Sequence, residues 1–202
     1  MLSLPAIEVR QGPRQVLYSF AVDGKLVPRF AVVSRVRRGD EGEILGYQRP
    51  EVKSHIKEIA DFIDGPAPLM PNAVVIAFDS RAVFEPTPGA SSDGYAWPGT
   101  LRIPLARGDD PAERAGFIVD GQQRLAAIRG ARVASFPVCV SAFITDDLRA
   151  QTEQFILVNS TKPLPKGLIY ELLPATQAAL PGLYQRRRLQ ADLVQQLNQR
   201  RD

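Results

Sequence analysis

The sequence predicts a mixed α+β domain: a small sheet flanked by helices, followed by a helical C-terminal segment. Three observations carry this expectation. Short β-branched and aromatic runs recur at residues 16–22, 30–36, 72–78, 116–120 and 136–143. Between them lie stretches with apolar residues at helical spacing. Seventeen prolines are spread through the chain, which excludes a bundle of long helices.

Taken in order, VLYSFAV (16–22) and FAVVSRV (30–36) read as strands, and Asp23-Gly24 between them is a turn signal for a hairpin or two neighbouring strands. GDEGEILGYQRP is polar and loop-like, and ends at Pro50, well placed for the first turn of a helix. EVKSHIKEIADFI then sets Val52, Ile56, Ile59 and Ile63 on one face, with His55 at or near that buried face and Asp64-Gly65-Pro66 as a stop. Residues 72–78 read as a buried strand, and 85–100, rich in Pro, Gly and Ser, as a long surface loop. Leu101 to Leu105 is expected as an edge strand, because Pro104 cannot donate to a ladder. GFIVD, a glycine turn and a helix from Arg124 follow, then the strand FPVCVSAF with Cys139 in the core, and a helix over 146–160.

The chain of 202 residues is 45% hydrophobic and 23% charged, an ordinary globular balance. Its length suits a domain over 1–175 and a helical tail over 176–202, read as the start of a larger C-terminal region. No apolar run approaches the roughly 20 residues that span a bilayer, so no membrane partner is expected. A single cysteine excludes an internal disulfide and points to a cytoplasmic protein. With one histidine and one cysteine, no zinc site can be assembled from those residue types. The net charge of +3 is mild. The arginines nevertheless gather at Arg35, Arg37 and Arg38 and at Arg186, Arg187, Arg188, Arg200 and Arg201, as a solvated surface or a contact for an acidic polymer.

Chemistry concentrates at VDGQQRLAAI. An apolar strand ends at Asp120-Gly121 and a helix starts within one or two residues. Gly121 permits a sharp turn and a close approach of ligand to the main chain. The first-turn amides of such a helix favour an anion, and Arg124 can add a bidentate contact to phosphate. Gln122 and Gln123 offer amide donors and acceptors. Asp120 would repel a polyphosphate unless a divalent cation, Mg²⁺, intervenes; it can also orient an attacking water, or serve as a plain helix cap. The Walker and dinucleotide glycine motifs are absent from the sequence.

VDGQQRLAAI, with GYQRP upstream and FILVNSTKPLP downstream, resembles the DGQHR-domain family, which includes DpdB-like and DndB-like DNA-modification proteins. It is distantly similar to the ParB/sulfiredoxin superfamily. The resemblance covers roughly residues 15–175, and three short segments carry it. It implies that Gln48 and Arg49 border a nucleotide and that Gly121, Gln122, Gln123 and Arg124 hold its phosphates. It also implies that Asn159, Ser160, Thr161 and Lys162 form a third box, with Asp120 and Asn159 as catalytic candidates and Asp120 as metal ligand. Val158 stands where ParB-like proteins have a glutamate, and Gln123 where the family's usual histidine lies. The implied function is an ATP-binding and ATP-hydrolysing accessory protein that acts with Mg²⁺ on DNA. Its DpdB-like form would support 7-deazaguanine insertion by a partner transglycosylase. The alternative is a DndB-like DNA-binding transcriptional regulator of a phosphorothioation cluster, without turnover. Homo-oligomerisation stays open. Outside these segments, Tyr95 and Trp97 either stack on a base or cover the core.

Overall fold

The chain enters a strand at its second residue, β1 (Leu2–Arg10), in which Ala6 and Glu8 are buried and Ile7 is 46% exposed. This computed structural model describes residues 1–13, 15–33, 37–38, 44–45, 52–90 and 93–159. After β1 come β2 (Val16–Asp23), β3 (Ala31–Val33), β4 (Arg37–Arg38) and β5 (Ile44–Leu45), then the helix α1 (Lys53–Ile63). The strands β6 (Val74–Phe78), β7 (Val83–Pro86), β8 (Ala96–Ile103) and β9 (Gly116–Asp120) follow. The described chain continues through α2 (Gln122–Gly130), β10 (Pro137–Ile144) and α3 (Leu148–Asn159).

The mixed α/β class is as expected, but the sheet is not small. Eight strands join in the order β3-β9-β6-β10-β2-β1-β8-β7, and β4 pairs with β5 separately. β10 with β6 and β3 with β9 run parallel; the other pairs are antiparallel. Phe78 sits at the centre of the core, with ring centroids 6.0 Å from Phe30 and 6.5 Å from Phe20. The segment that the tail reading placed at 176–202 lies outside the described residues.

Several local expectations are corrected. β2 and β3 form neither a hairpin nor a neighbouring pair, since β9, β6 and β10 lie between them in the sheet, and Val27 and Phe30 in their connection are fully buried. Burying such side chains is worth about 1.5–3 kcal/mol each, so the chain crosses the core through a short 3-10 turn instead of folding straight back. Asp23 and Gly24 bind the entry to β10: Phe136 N donates to Asp23 at 3.1 Å and Gly24 N to Phe136 O at 2.9 Å. Of the expected loop at 85–100, Glu85, Pro86 and residues 96–100 belong to the paired strands β7 and β8, with Pro98 taken into β8. The strand expected at Leu101–Leu105 begins earlier and is interior, since β7 forms the edge. Val52 and His55 are exposed at the start of α1. Cys139 is exposed too, because Val138, Val140 and Ala142 take the inward positions of β10.

α1 and α2 pack on one another, and Asp64 ties them by accepting from Arg132 N at 2.8 Å and Val133 N at 3.1 Å. Burial raises the Asp23 and Asp64 carboxyls. The opposing N–H bonds and the Lys25 and Arg132 charges outweigh it, so both end below the usual range. A lowered folded pKa contributes stability above the unfolded value of about 3.9 and loses it as pH falls through the folded value. The melting temperature is therefore expected to hold steady above about pH 5 and to fall below about pH 4. Asp64→Asn should lower it at neutral pH and flatten the acid decline, measured by thermal denaturation across pH.

Candidate functional site

β9 runs against β6 with Val75 opposite Asp120 but Ile76 opposite Ile118, a shift of register at that step. A bulge of this kind bends a strand and re-aims its side chains. Ile118 and Val119 are both buried, and α3 packs on this strand. The chain then turns at Gly121, whose φ of 97° lies in the left-handed region. A Cβ there would meet the Val74 methyls at 3.1 and 3.2 Å. Glycine thus serves both the turn and its packing on β6.

Gly121 is also the N-cap of α2, and as a glycine it offers no side-chain oxygen to cap the first turn. The helical ladder begins with Leu125 N donating to Gly121 O at 2.9 Å. The amides before Leu125 belong to the helix end where the macrodipole favours negative charge.

Arg124 turns back across this junction. Its Nη2 donates to Asp120 Oδ2 at 2.7 Å, while Nη1 donates to the carbonyls of Asn72 at 2.5 Å and Ala73 at 3.1 Å. The guanidinium is held from two sides, and its side chain is only 18% exposed. The fork satisfies main-chain acceptors just ahead of β6 that would otherwise depend on water. The Asn72 and Ala73 acceptors left no trace in the sequence, since every residue carries a carbonyl. Nε and the second Nη2 hydrogen are not used in these bonds.

The junction therefore gathers Asp120, Gly121 and Arg124, with Gln122 and Gln123 half-buried in the first turn of α2. Gln123 Oε1 is buried and finds no hydrogen-bond partner among the described residues. Asn159 is the last residue of α3, and α3 packs on β9. Gln48, Arg49, Ser160, Thr161 and Lys162 lie outside the described residues. Among the described residues no three His, Cys, Asp or Glu side chains gather as a metal site. A cation at Asp120 would draw most of its ligands from phosphate oxygens and water, which is the habit of Mg²⁺.

A family model described as DndB, DNA-sulfur modification-associated, matches residues 4–202. The chain belongs to the DndB family. No curated protein and no solved structure matches it. Among the described residues of this DndB-family chain, no helix is long and apolar enough to cross a membrane.

Two substitutions test the junction's own architecture. Gly121→Ala should lose about 1–2 kcal/mol, the left-handed penalty, with some addition from the Val74 contact. Arg124→Lys keeps the charge but not the fork, and should lose about 1–3 kcal/mol. Urea unfolding monitored by circular dichroism measures both.

Proposed function

We propose that this chain is a nucleotide-responsive accessory protein of a DNA-sulfur modification system. DNA is its macromolecular partner, and ATP with Mg²⁺ is the ligand of the Asp120–Arg124 junction. The observation that carries the reading is an α2 N-terminus that begins at a left-handed glycine with no capping side chain of its own, in a chain of the DndB family. Helix ends of this form take phosphate through main-chain amides and the dipole.

Phosphate would compete for Arg124, drawing the guanidinium from the Asn72 and Ala73 carbonyls and from Asp120. Release of Asp120 would leave its carboxylate to hold Mg²⁺, which neutralises phosphate charge when bound. Gln123 Oε1 is an acceptor, so a hydrogen-bond donor such as a ribose hydroxyl suits it better than phosphate does. Gln48, Arg49, Ser160, Thr161 and Lys162 complete the site in the reading that the family boxes imply. Hydrolysis would require a water oriented by Asp120 or Asn159. Binding requires neither.

A second reading is a DNA-binding transcriptional regulator without turnover. The Asp120–Arg124 ion pair at 2.7 Å favours it, because Oδ2 is already engaged by the guanidinium and is not available there to orient a water. The partner enzyme in either reading is a DNA-modifying enzyme of the same system. A transglycosylase-like partner follows only from the DpdB resemblance and is the less direct choice in a family named for sulfur modification.

ATP with Mg²⁺ at 100 times its Kd should raise stability by about 2.7 kcal/mol, read as a melting shift against GTP and CTP. Arg124→Ala should abolish the shift. A shift with phosphate release supports the enzyme, and a shift without release supports the regulator. No shift with any of the three nucleotides would refute the site.

A further inference from the structure

Far along the sheet from the junction, β1 and β8 pair with Glu8 opposite Trp97 and Val9 opposite Ala96. β2, β10 and β6 separate them from β9. There the Arg10 guanidinium lies 4.2 Å from the centroid of the Trp97 ring, and its Nε donates to the buried Glu8 carboxylate at 2.8 Å. The cation is fixed from two sides, yet the Arg10 side chain remains 53% exposed. Tyr95 is its neighbour: Arg10 N donates to Tyr95 O at 3.0 Å. The Tyr95 side of the turn is pinned in its own right, as Asp93 Oδ1 accepts from Tyr95 N at 3.0 Å and Ala96 N at 2.9 Å. Tyr95 is nevertheless 67% exposed.

We propose that Arg10 and Tyr95 form a contact for single-stranded DNA, with a backbone phosphate on Arg10 and an unstacked base on Tyr95. This deepens the proposed function, resting on its DNA partner but not on its nucleotide site. Anchoring Arg10 through Nε leaves both Nη groups for bidentate contact with a phosphate. Adjacent strands lie about 4.8 Å apart, so the cation and the ring stand within reach of one nucleotide. The Arg10 guanidinium and the Tyr95 backbone are held before binding, which reduces the entropy lost on association. Nearby charge is largely matched: Glu8 by Arg10, and Glu85 by Arg102 at 2.8 Å. Asp93 opposes an anion, but its carboxylate is turned to the turn amides. Cation beside aromatic is the combination by which proteins hold single strands without sequence preference.

Trp97 is the chain's only tryptophan and lies under Arg10, so it reports directly on this spot. The test titrates the full chain with an oligothymidylate of about 16 nucleotides, following Trp97 fluorescence and, separately, anisotropy of a labelled strand. Wild type should bind with saturable quenching. Tyr95→Ala should weaken binding at least about fivefold, the effect of losing one stacked base, while Tyr95→Phe retains it. Arg10→Gln should reduce the slope of log affinity against log salt by about 0.7. If Arg10→Gln lowers the melting temperature, the two Tyr95 variants decide. Equal binding by wild type and Tyr95→Ala overturns this contact and leaves the DNA partner standing. No binding of wild type to single- or double-stranded DNA overturns both. Binding to duplex alone overturns the single-strand contact only.

Discussion

At the entry to β6 two consecutive carbonyls, of Asn72 and Ala73, come together at the rim of the sheet, and one guanidinium serves both. Arg124 reaches them only because the register shift in β9 and the left-handed turn at Gly121 place α2 directly behind that rim. The same side chain grips Asp120, so the end of one strand, the approach to its neighbour and the first turn of a helix are held by a single planar group. A point charge such as an ammonium lacks the planar fork that meets these acceptors together. The rest of the junction, from the first turn of α2 to the buried Gln123 oxygen, is placed beside that grip.

Competition at this point can be weighed. A helix dipole attracts an anion by about 0.3–1 kcal/mol at an exposed end. Hydrogen bonds to a charged group are worth about 1.5–3 kcal/mol. The dipole alone therefore does not open the junction, and in the self-paired state the carboxylate and guanidinium present little net charge. In the proposed reading a ligand would have to replace what Arg124 already holds, a task for several anionic oxygens on one group rather than for a single chloride. Selectivity for polyanions would then arise from this threshold.

Much of the architecture was legible because local pattern and tertiary use coincide. β6, β9 and β10 are apolar runs bounded by turn residues, and α1 carries Ile56, Ile59 and Ile63 at helical spacing. The strand–glycine–helix junction could be read from Asp120 to Arg124 for the same reason. β1 escaped notice because Pro5 and the buried Glu8 interrupt its apolar alternation, and both are tolerated only through pairing with β8 and the Arg10 contact. Pro98 disguised β8 in the same way. Cys139 misled because an outward strand position looks apolar when its residue is small. Which side chain satisfies the Asn72 and Ala73 carbonyls is a three-dimensional fact, with donor and acceptors some fifty residues apart in the chain.

The strand order has a bearing on how the molecule is made. β1 lies between β2 and β8, β2 between β1 and β10, and β3 finds its partner only in β9. Early strands thus wait for late ones, and a sheet so interleaved closes through distant contacts, which slow folding. On the ribosome the N-terminal third would emerge with open edges and stay unfinished until β10 has been synthesised. A nascent chain in that condition is a natural client for chaperones that shield unpaired strands.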